Sequence, residues 1–471
     1  MEVIGNIVGA ISGVLYQPWC VPLLLVFGGI WFTIRTGLMQ VRFFGESIRV
    51  VKEKPHTEGG ISSFGALMVS TASRVGTGNI VGVSAAIISG GEGAIFWMWV
   101  TAFLGGATAF VESTLAQIYK KKNPDGSSYG GPAFYMQQAL HARWLGVIFS
   151  ILIIFTYAVG YNMLAAFNLQ TAFKAFSFYN DTTPAIIGII LMVLFAVIVL
   201  GGAKRLVNVT GLLVPIMGVL YVVVSLIVLV MNIGNLPSMF GRIFESAFDF
   251  RAIFGGFTGS CLMFGLKRGL YSNEAGMGSA PNAAATADVA HPAKQGLVQM
   301  LSVFIDTLLI CTATAFMCLS TNVIPGEYVE RQPIEFVQDS MSSTLGSFGP
   351  VFVAVALSLF AFTTLIGNYS YCEGCLKFIL KREPSKSLLV GFRLFASVII
   401  FLGAIAEAGL VWDTADMAQG FMVVTNVPSI LILGGIAIKC FKDYEHQKKQ
   451  GKDPHFKAAD IGLFDKLDFW Q

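Results

Sequence analysis

Charge is scarce in this chain. Asp, Glu, Lys and Arg make up 13% of its 471 residues, about half the share carried by a soluble globular domain. Polar, Pro-rich or Ser-rich linkers are missing as well, so a string of soluble domains is excluded. Histidine is limited to His56, His141, His291, His446 and His455, all in expected loops or the tail. That leaves no paired base or metal cluster for an intramembrane enzyme. The seven cysteines form no disulfide framework. Cys372 and Cys375 make a C-x-x-C without a second ligand pair, which reads as packing rather than zinc. The N-terminus has no basic region ahead of an apolar run, so no cleavable signal peptide is expected. Basic clusters with interleaved aromatics are absent, so no nucleic-acid partner is expected.

Apolar residues fill the space, at 55% of the chain, with a mean hydropathy of +0.69. Eleven apolar segments follow one another at about 18–34, 61–89, 94–118, 144–173, 184–202, 207–231, 252–288, 295–321, 349–372, 388–406 and 417–439. Roughly 20 apolar residues cross a bilayer core, so the expected fold is an all-α membrane protein with eleven transmembrane helices. Residues 441–471 read as a basic, soluble tail that meets lipid headgroups or solvent.

Charge placement orients the spans, because Lys and Arg gather on the cytoplasmic side. With the N-terminus outside, the inner loops collect Arg35, Arg42, Arg49, Lys52 and Lys54, then Lys120, Lys121, Lys122 and Arg143, then Lys204, Arg205 and Lys294. Lys377, Lys381, Arg382, Lys386 and Arg393 follow, with seven tail lysines from Lys439 to Lys466. The outer loops hold only Lys174, Arg242, Arg251 and Arg331, and carry the acidic residues Glu407, Asp413 and Asp416. The expected location is the plasma (inner) membrane, with the C-terminus cytoplasmic.

Set the first segment aside, with residues 1–60, as an accessory unit. The other ten, over 61–440, divide into two fives, 61–231 and 252–440. An odd number of spans per unit forces opposite insertion. The first member of each five is interrupted, through Ser70–Asn79 and through Gly265–Ser279. Interrupted helices at matching positions of inverted halves mark the binding site of a secondary transporter.

Each interruption has its own chemistry. In Ser73-Arg74-Val75-Gly76-Thr77-Gly78-Asn79 two glycines disfavour a continuous helix. A half-helix starting near Gly78 offers free N–H groups and a positive dipole end to a carboxylate. The half-helix ending near Ala72–Val75 offers carbonyls to a cation. The bland alternative is close packing through Gly78 and Gly82. A nucleotide loop is disfavoured, since Gly76-x-Gly78-x-x-Val81 lacks the third glycine and a preceding strand. In the second interruption the break is expected around Tyr271, Ser272 and Asn273, followed by a small-residue half-helix over Ala283–Ala290. Glu274, Arg268 and Arg74 are expected to pair across it, with Glu112 a further candidate, because a charge at membrane depth seeks a partner. The alternative is a cytoplasmic loop after a short helix.

The runs Ser73–Ile80, Gly90-Gly91-Glu92-Gly93-Ala94-Ile95-Phe96-Trp97, Gly130-Gly131-Pro132-Ala133-Phe134-Tyr135-Met136 and Arg268–Gly276 resemble the alanine/glycine:cation symporter family. That family is similar to the leucine-transporter fold, a five-plus-five inverted repeat with one extra N-terminal helix. The resemblance implies sodium-coupled import of a small neutral amino acid, with no organic cofactor and no enzymatic step. It implies that Thr77 and Gly78 hold the substrate carboxylate through backbone N–H groups. Tyr271, Ser272 and Asn273 join them as substrate-side candidates. Sodium would bind the carbonyls of Ala72 and Val75 and the hydroxyls of Thr363 and Thr364. Read from the residues alone, those hydroxyls bond back to their own helix.

Two departures stand out. Glu92 replaces a common Pro in an outer loop. Asn162-Met163-Leu164-Ala165-Ala166-Phe167 stands where relatives carry Asn-Met-Val-Gln-Ala-Asn, so Ala165 replaces a substrate-binding Gln, and Tyr161 or Asn162 becomes the candidate replacement donor. Proton coupling, with Glu112 as the first residue to test, and an ion channel are the alternatives. A channel needs a polar pore stripe, which the segments lack.

Overall fold

The computed structural model describes residues 2–57, 59–463 and 467–470; Lys466 of the basic tail lies outside the described residues. The chain is mostly helical, with one small hairpin pairing Lys121–Lys122 with Ser128–Tyr129. Among the described residues, eight helices are long and apolar enough to cross a membrane. They are α5 (Ala94–Ile118), α6 (Arg143–Ala175), α7 (Thr183–Leu200), α8 (Arg205–Met231), α11 (Pro292–Leu319), α12 (Phe348–Leu380), α13 (Lys386–Ala404) and α14 (Ala408–Lys449). The remaining apolar segments are shorter or broken. They comprise α1 (Glu2–Leu15), which the sequence reading left outside its segments, α2 (Val21–Arg35), α3 (Ser63–Arg74), α4 (Gly78–Gly90), α9 (Cys261–Asn273) and α10 (Ala280–Ala284).

The outer ring explains the missing charge. Along α7, Ile186, Ile189, Ile190, Val193, Leu194 and Val197 are all exposed. Their helical spacing makes one continuous apolar face. Water does not tolerate contiguous apolar faces of that size, whereas lipid requires them. This is a multi-pass membrane protein.

Inside the ring, α5 packs against α11 and α9, and α12 packs against α3. Small residues permit these approaches. A side chain at Gly367 of α12 would run into the Ala72 and Ser73 backbone, and one at Gly265 of α9 would meet the Ala94 carbonyl and Trp97. Cys372 and Cys375 are buried on α12 and form no disulfide among the described residues. Glu92 accepts from Arg242 at 2.9 Å at the rim.

Wide π-helical turns interrupt three elements, at Gly78–Gly82, Ile154–Gly160 and Phe304–Cys311. Such turns cluster at functional sites. Here two of them bring Asn79 and Asp306 together at 2.7 Å, and the third runs directly into Tyr161.

Candidate functional site

The first break is built around Gly76. Helix α3 starts at a Ser62 cap whose hydroxyl accepts from the Gly65 amide at 3.1 Å, and it ends at Arg74. The Gly76 amide then donates to Oδ1 of Asn79 at 2.7 Å, so a side chain takes over where the helical ladder stops. The last carbonyls of α3, Ala72 among them, have no following turn to bond. Gly76 has no room for a side chain, because a Cβ there would collide with the Thr364 hydroxyl. That hydroxyl is buried and has no hydrogen-bond partner among the described residues. Its neighbour Thr363 donates to the Leu359 and Phe360 carbonyls at 3.0 Å. One of the two adjacent hydroxyls is therefore bonded to its own helix, while the other stands beside the break.

The second break lies at 274–279, not around Tyr271–Asn273, which are still inside α9. Three positive φ angles cause it, at Glu274 (57°), Gly276 (89°) and Gly278 (78°). Glycine takes that conformation freely, and Glu274 has to be held in it. The half-helix beyond is Ala280–Ala284 only, shorter than Ala283–Ala290, because the chain turns to bridge Ile61 with Ala287.

Side chains satisfy the freed backbone, as burial in the membrane demands. Glu112 accepts from the Gly276 amide at 3.4 Å and from Asn426 at 2.8 Å. Asn426 donates to the Gly276 carbonyl at 3.0 Å. Glu274 accepts from Ser73 at 2.9 Å and Ser279 at 2.7 Å. Among the described residues no direct ion pair joins Glu274 to Arg268 or Arg74, whose nearest partners lie elsewhere. Arg74 donates to Gln299 at 3.3 Å, and Arg268 meets Asp416 through two contacts of 3.1 Å.

Tyr271 and Thr77 join the two breaks, their hydroxyls 2.8 Å apart. The Tyr271 ring covers Gly78, where a Cβ would come within 3.1 Å of it. Ser272 and Asn273 turn the other way, toward α11. Ser272 donates to Asp306 at 2.8 Å and Asn273 donates to Thr307 at 3.1 Å. Asp306 also accepts from Asn79 at 2.7 Å, so one buried carboxylate ties both broken segments together.

Tyr161 stands edge-on to Tyr271, ring centroids 5.1 Å apart, and donates to Gln419 at 2.8 Å. Asn162 accepts from Asn368 at 3.0 Å, and Ala165 is fully buried one helical turn beyond Tyr161. Above Tyr271 lies Trp412, 5.6 Å away. Arg268 stacks over the Trp412 ring at 4.3 Å, and Lys267 reaches Asp416 at 2.7 Å. A lid of Tyr161, Tyr271 and Trp412 and an ion-pair cluster thus close one side.

The donor set fits a hard monovalent cation. It offers backbone carbonyls at a helix end and an orphaned buried hydroxyl, with no soft ligand required.

Asp306, Asp416, Gln419, Trp412, Asn368 and Asn426 escaped the sequence reading as site residues. A single carboxylate within Phe304–Cys311 is itself a signal at membrane depth. Asp416 reads in the sequence as an outer-loop acid, whereas α14 already contains it.

A family model described as "Sodium:alanine symporter family" matches residues 1–458. The amino-acid carrier protein AlsT of Bacillus subtilis is 44% identical, over 95% of this chain and 94% of its own. The probable sodium/glutamine symporter GlnT of the same organism is 43% identical, over 100% and 96%. Among solved structures, MhsT in complex with L-phenylalanine superimposes with a TM-score of 0.54 at 16% identity, covering 85% of this chain and 91% of that one. That likeness establishes the leucine-transporter fold. With the family match spanning nearly the whole length and two relatives above 40% identity, this chain belongs to the sodium:alanine symporter family.

Proposed function

We propose that this protein imports a small neutral amino acid together with sodium, by rocking its two halves around a fixed midplane site. The observation that carries this reading is the meeting of the two breaks at Thr77 and Tyr271. Helix ends, not side-chain charges, supply the binding groups there. The amides of Thr77 and Gly78 take the substrate carboxylate, and Tyr161, Asn162, Ala165 and Tyr271 surround the rest. Ser272 and Asn273 act from behind, by fixing α9 to α11.

Sodium is assigned to the carbonyls of Ala72 and Val75 with Thr364 and Thr363. The unpartnered Thr364 hydroxyl supports this assignment. Asp306, Asn79 and Ser272 form a second group of oxygen and amide side chains between the breaks. In this reading the chain crosses the plasma (inner) membrane eleven times. The eight long helices are joined by α2 and by the two broken spans, α3–α4 and α9–α10, and α1 lies outside the count. Residues 1–60 are accessory, 61–231 and 252–440 are the inverted repeats, and 441–471 are cytoplasmic. The N-terminus is placed outside in this reading, which the basic residues of the inner loops support.

Labelled alanine binding to purified protein tests the site. Sodium should support binding and potassium should not, and unlabelled glutamine, carried in name by a 43% identical relative, should be included among the competitors. Equal binding in sodium and potassium would refute the assigned coupling.

A further inference from the structure

Helix α1 precedes every segment used so far. It packs along α14, where Gly9 faces Asp413 and Gly420 faces Leu15. The residue after its last turn, Tyr16, is 4% exposed. The Tyr16 ring lies 4.8 Å beneath the Lys267 ammonium, and its hydroxyl accepts from Nε2 of Gln419.

Gln419 has no free choice of orientation. Its Nε2 also donates to Asp416 at 3.2 Å, and its Oε1 accepts from Tyr161 at 2.8 Å. Both amide hydrogens and the carbonyl are thereby used. A flipped amide would turn its oxygen toward the Asp416 carboxylate, which can only accept. Tyr161 in turn sets its ring against Tyr271, whose hydroxyl meets Thr77. The chain of contacts Tyr16–Gln419–Tyr161–Tyr271–Thr77 is continuous and buried, and it starts outside the ten-helix core.

We propose that Tyr16 is a positioning residue of the outer gate. Its hydroxyl and ring hold Gln419 and Lys267, and through them the Tyr161–Tyr271 lid and the Asp416 ion pairs, in the closed arrangement. The accessory N-terminal helix thus takes part in occluding the site. This rests on the transport reading and on the orientation given above. Loss of the hydroxyl leaves a buried amide hydrogen of Gln419 without an acceptor. That penalty falls on the closed state alone, because an opened lid admits water to the same group.

Native Cys311 reports on the gate. Its sulfur lies 3.3 Å from Asn79 and 3.1 Å from Ser272, behind the lid, and it is buried. The full chain keeps Cys311 and has its other cysteines replaced. It is then exposed in sealed vesicles to a membrane-impermeant thiol reagent, with sodium and alanine present. Tyr16→Phe retains the ring over Lys267. It should raise the labelling rate from the outer face roughly tenfold and raise the KM for alanine, with the protein level unchanged. Gln419→Leu should do the same, and the double variant should add little, because the two changes remove one shared contact. Unchanged labelling and KM in Tyr16→Phe would overturn the proposal, as would fully multiplicative effects in the double variant. A rise seen only with reagent on the opposite face would support the role of Tyr16 and overturn the orientation instead. If alanine and sodium have no effect on labelling in the parent chain, the substrate reading fails, while the ligand-free comparison of Tyr16 with Phe still judges the gate.

Discussion

The hydroxyls of Thr77 and Tyr271 stand 2.8 Å apart, although the residues belong to different halves of the chain. Each sits at the edge of a broken helix, Thr77 just before α4 and Tyr271 in the last turn of α9. The contact closes the space above Gly78 with the Tyr271 ring. Any motion that opens the site on that side has to separate these two groups. Their neighbours define which substitutions disturb binding and which disturb closure.

Gly76 and Gly78 test the first break. Gly76→Ala places a methyl group onto the Thr364 hydroxyl and should abolish sodium-dependent uptake while the protein still reaches the membrane. Gly78→Ala brings a methyl within 3.1 Å of the Tyr271 ring, so the ring has to yield. The KM for alanine should rise, and kcat should change less. Initial-rate uptake with matched protein levels decides between the two effects.

Thr363 and Thr364 should separate in a sodium titration. Thr364→Ala removes a buried oxygen without a partner and should raise the half-saturating sodium concentration by about tenfold or more, the loss of one good ligand contact. Thr363→Ala removes a hydroxyl already donating to Leu359 and Phe360 and should have the smaller effect. Equal, wild-type sodium curves for both would remove α12 from the cation site.

Asp306→Asn keeps the shape and replaces one carboxylate oxygen by a donor. Asn79 and Ser272 both donate to that carboxylate at present, so the amide has to keep its oxygen toward Asn79, and the hydroxyls of Ser272 and Thr307 lose their acceptor. Transport should fall by about tenfold or more, with a weaker response to sodium. Glu112→Gln loses an acceptor in the same way, and neither the Gly276 N–H nor the Asn426 amide nitrogen can accept from the new NH2 group. Comparing the two variants in one assay shows whether charge between the breaks matters more than backbone support.

Ala165→Gln should narrow selectivity. Ala165 is buried one turn from Tyr161, and a longer amide there takes space and adds a hydrogen-bonding group near the lid. Discrimination by apolar volume alone is weak, about 1–3 kcal/mol per methylene. The natural chain should therefore accept neutral side chains larger than that of alanine, and Ala165→Gln should exclude them. An identical competition profile across a panel of unlabelled amino acids would show that position 165 only packs.

Local signals reached the sequence, and long-range pairings did not. The break after Arg74 was legible because Gly76 and Gly78 sit two apart in an otherwise apolar run. The second break was placed several residues early, because the glycines spread over Gly265–Gly278 carry no mark of which ones take positive φ. Glu274 takes a left-handed conformation that its residue type does not announce. The Arg268 partner was missed because Asp416 lies 148 positions away and looked like one of several outer acids. Helix α1 carries little sequence signal because its short run contains Gly5, Asn6, Gly9 and Gly13, and its packing along α14 supplies what propensity does not. Thr363 and Thr364 were indistinguishable as a pair, and only the facing of Gly76 separates them.

Sodium-gradient-driven uptake of labelled alanine into proteoliposomes tests the central claim most directly. Purified protein is reconstituted with equal internal and external pH, and an inward sodium gradient is imposed. Accumulation above the external concentration, lost when sodium is equal on both sides and reduced by Thr364→Ala, is the expected result. Accumulation that ignores the sodium gradient, or that follows an imposed proton gradient alone, would contradict it.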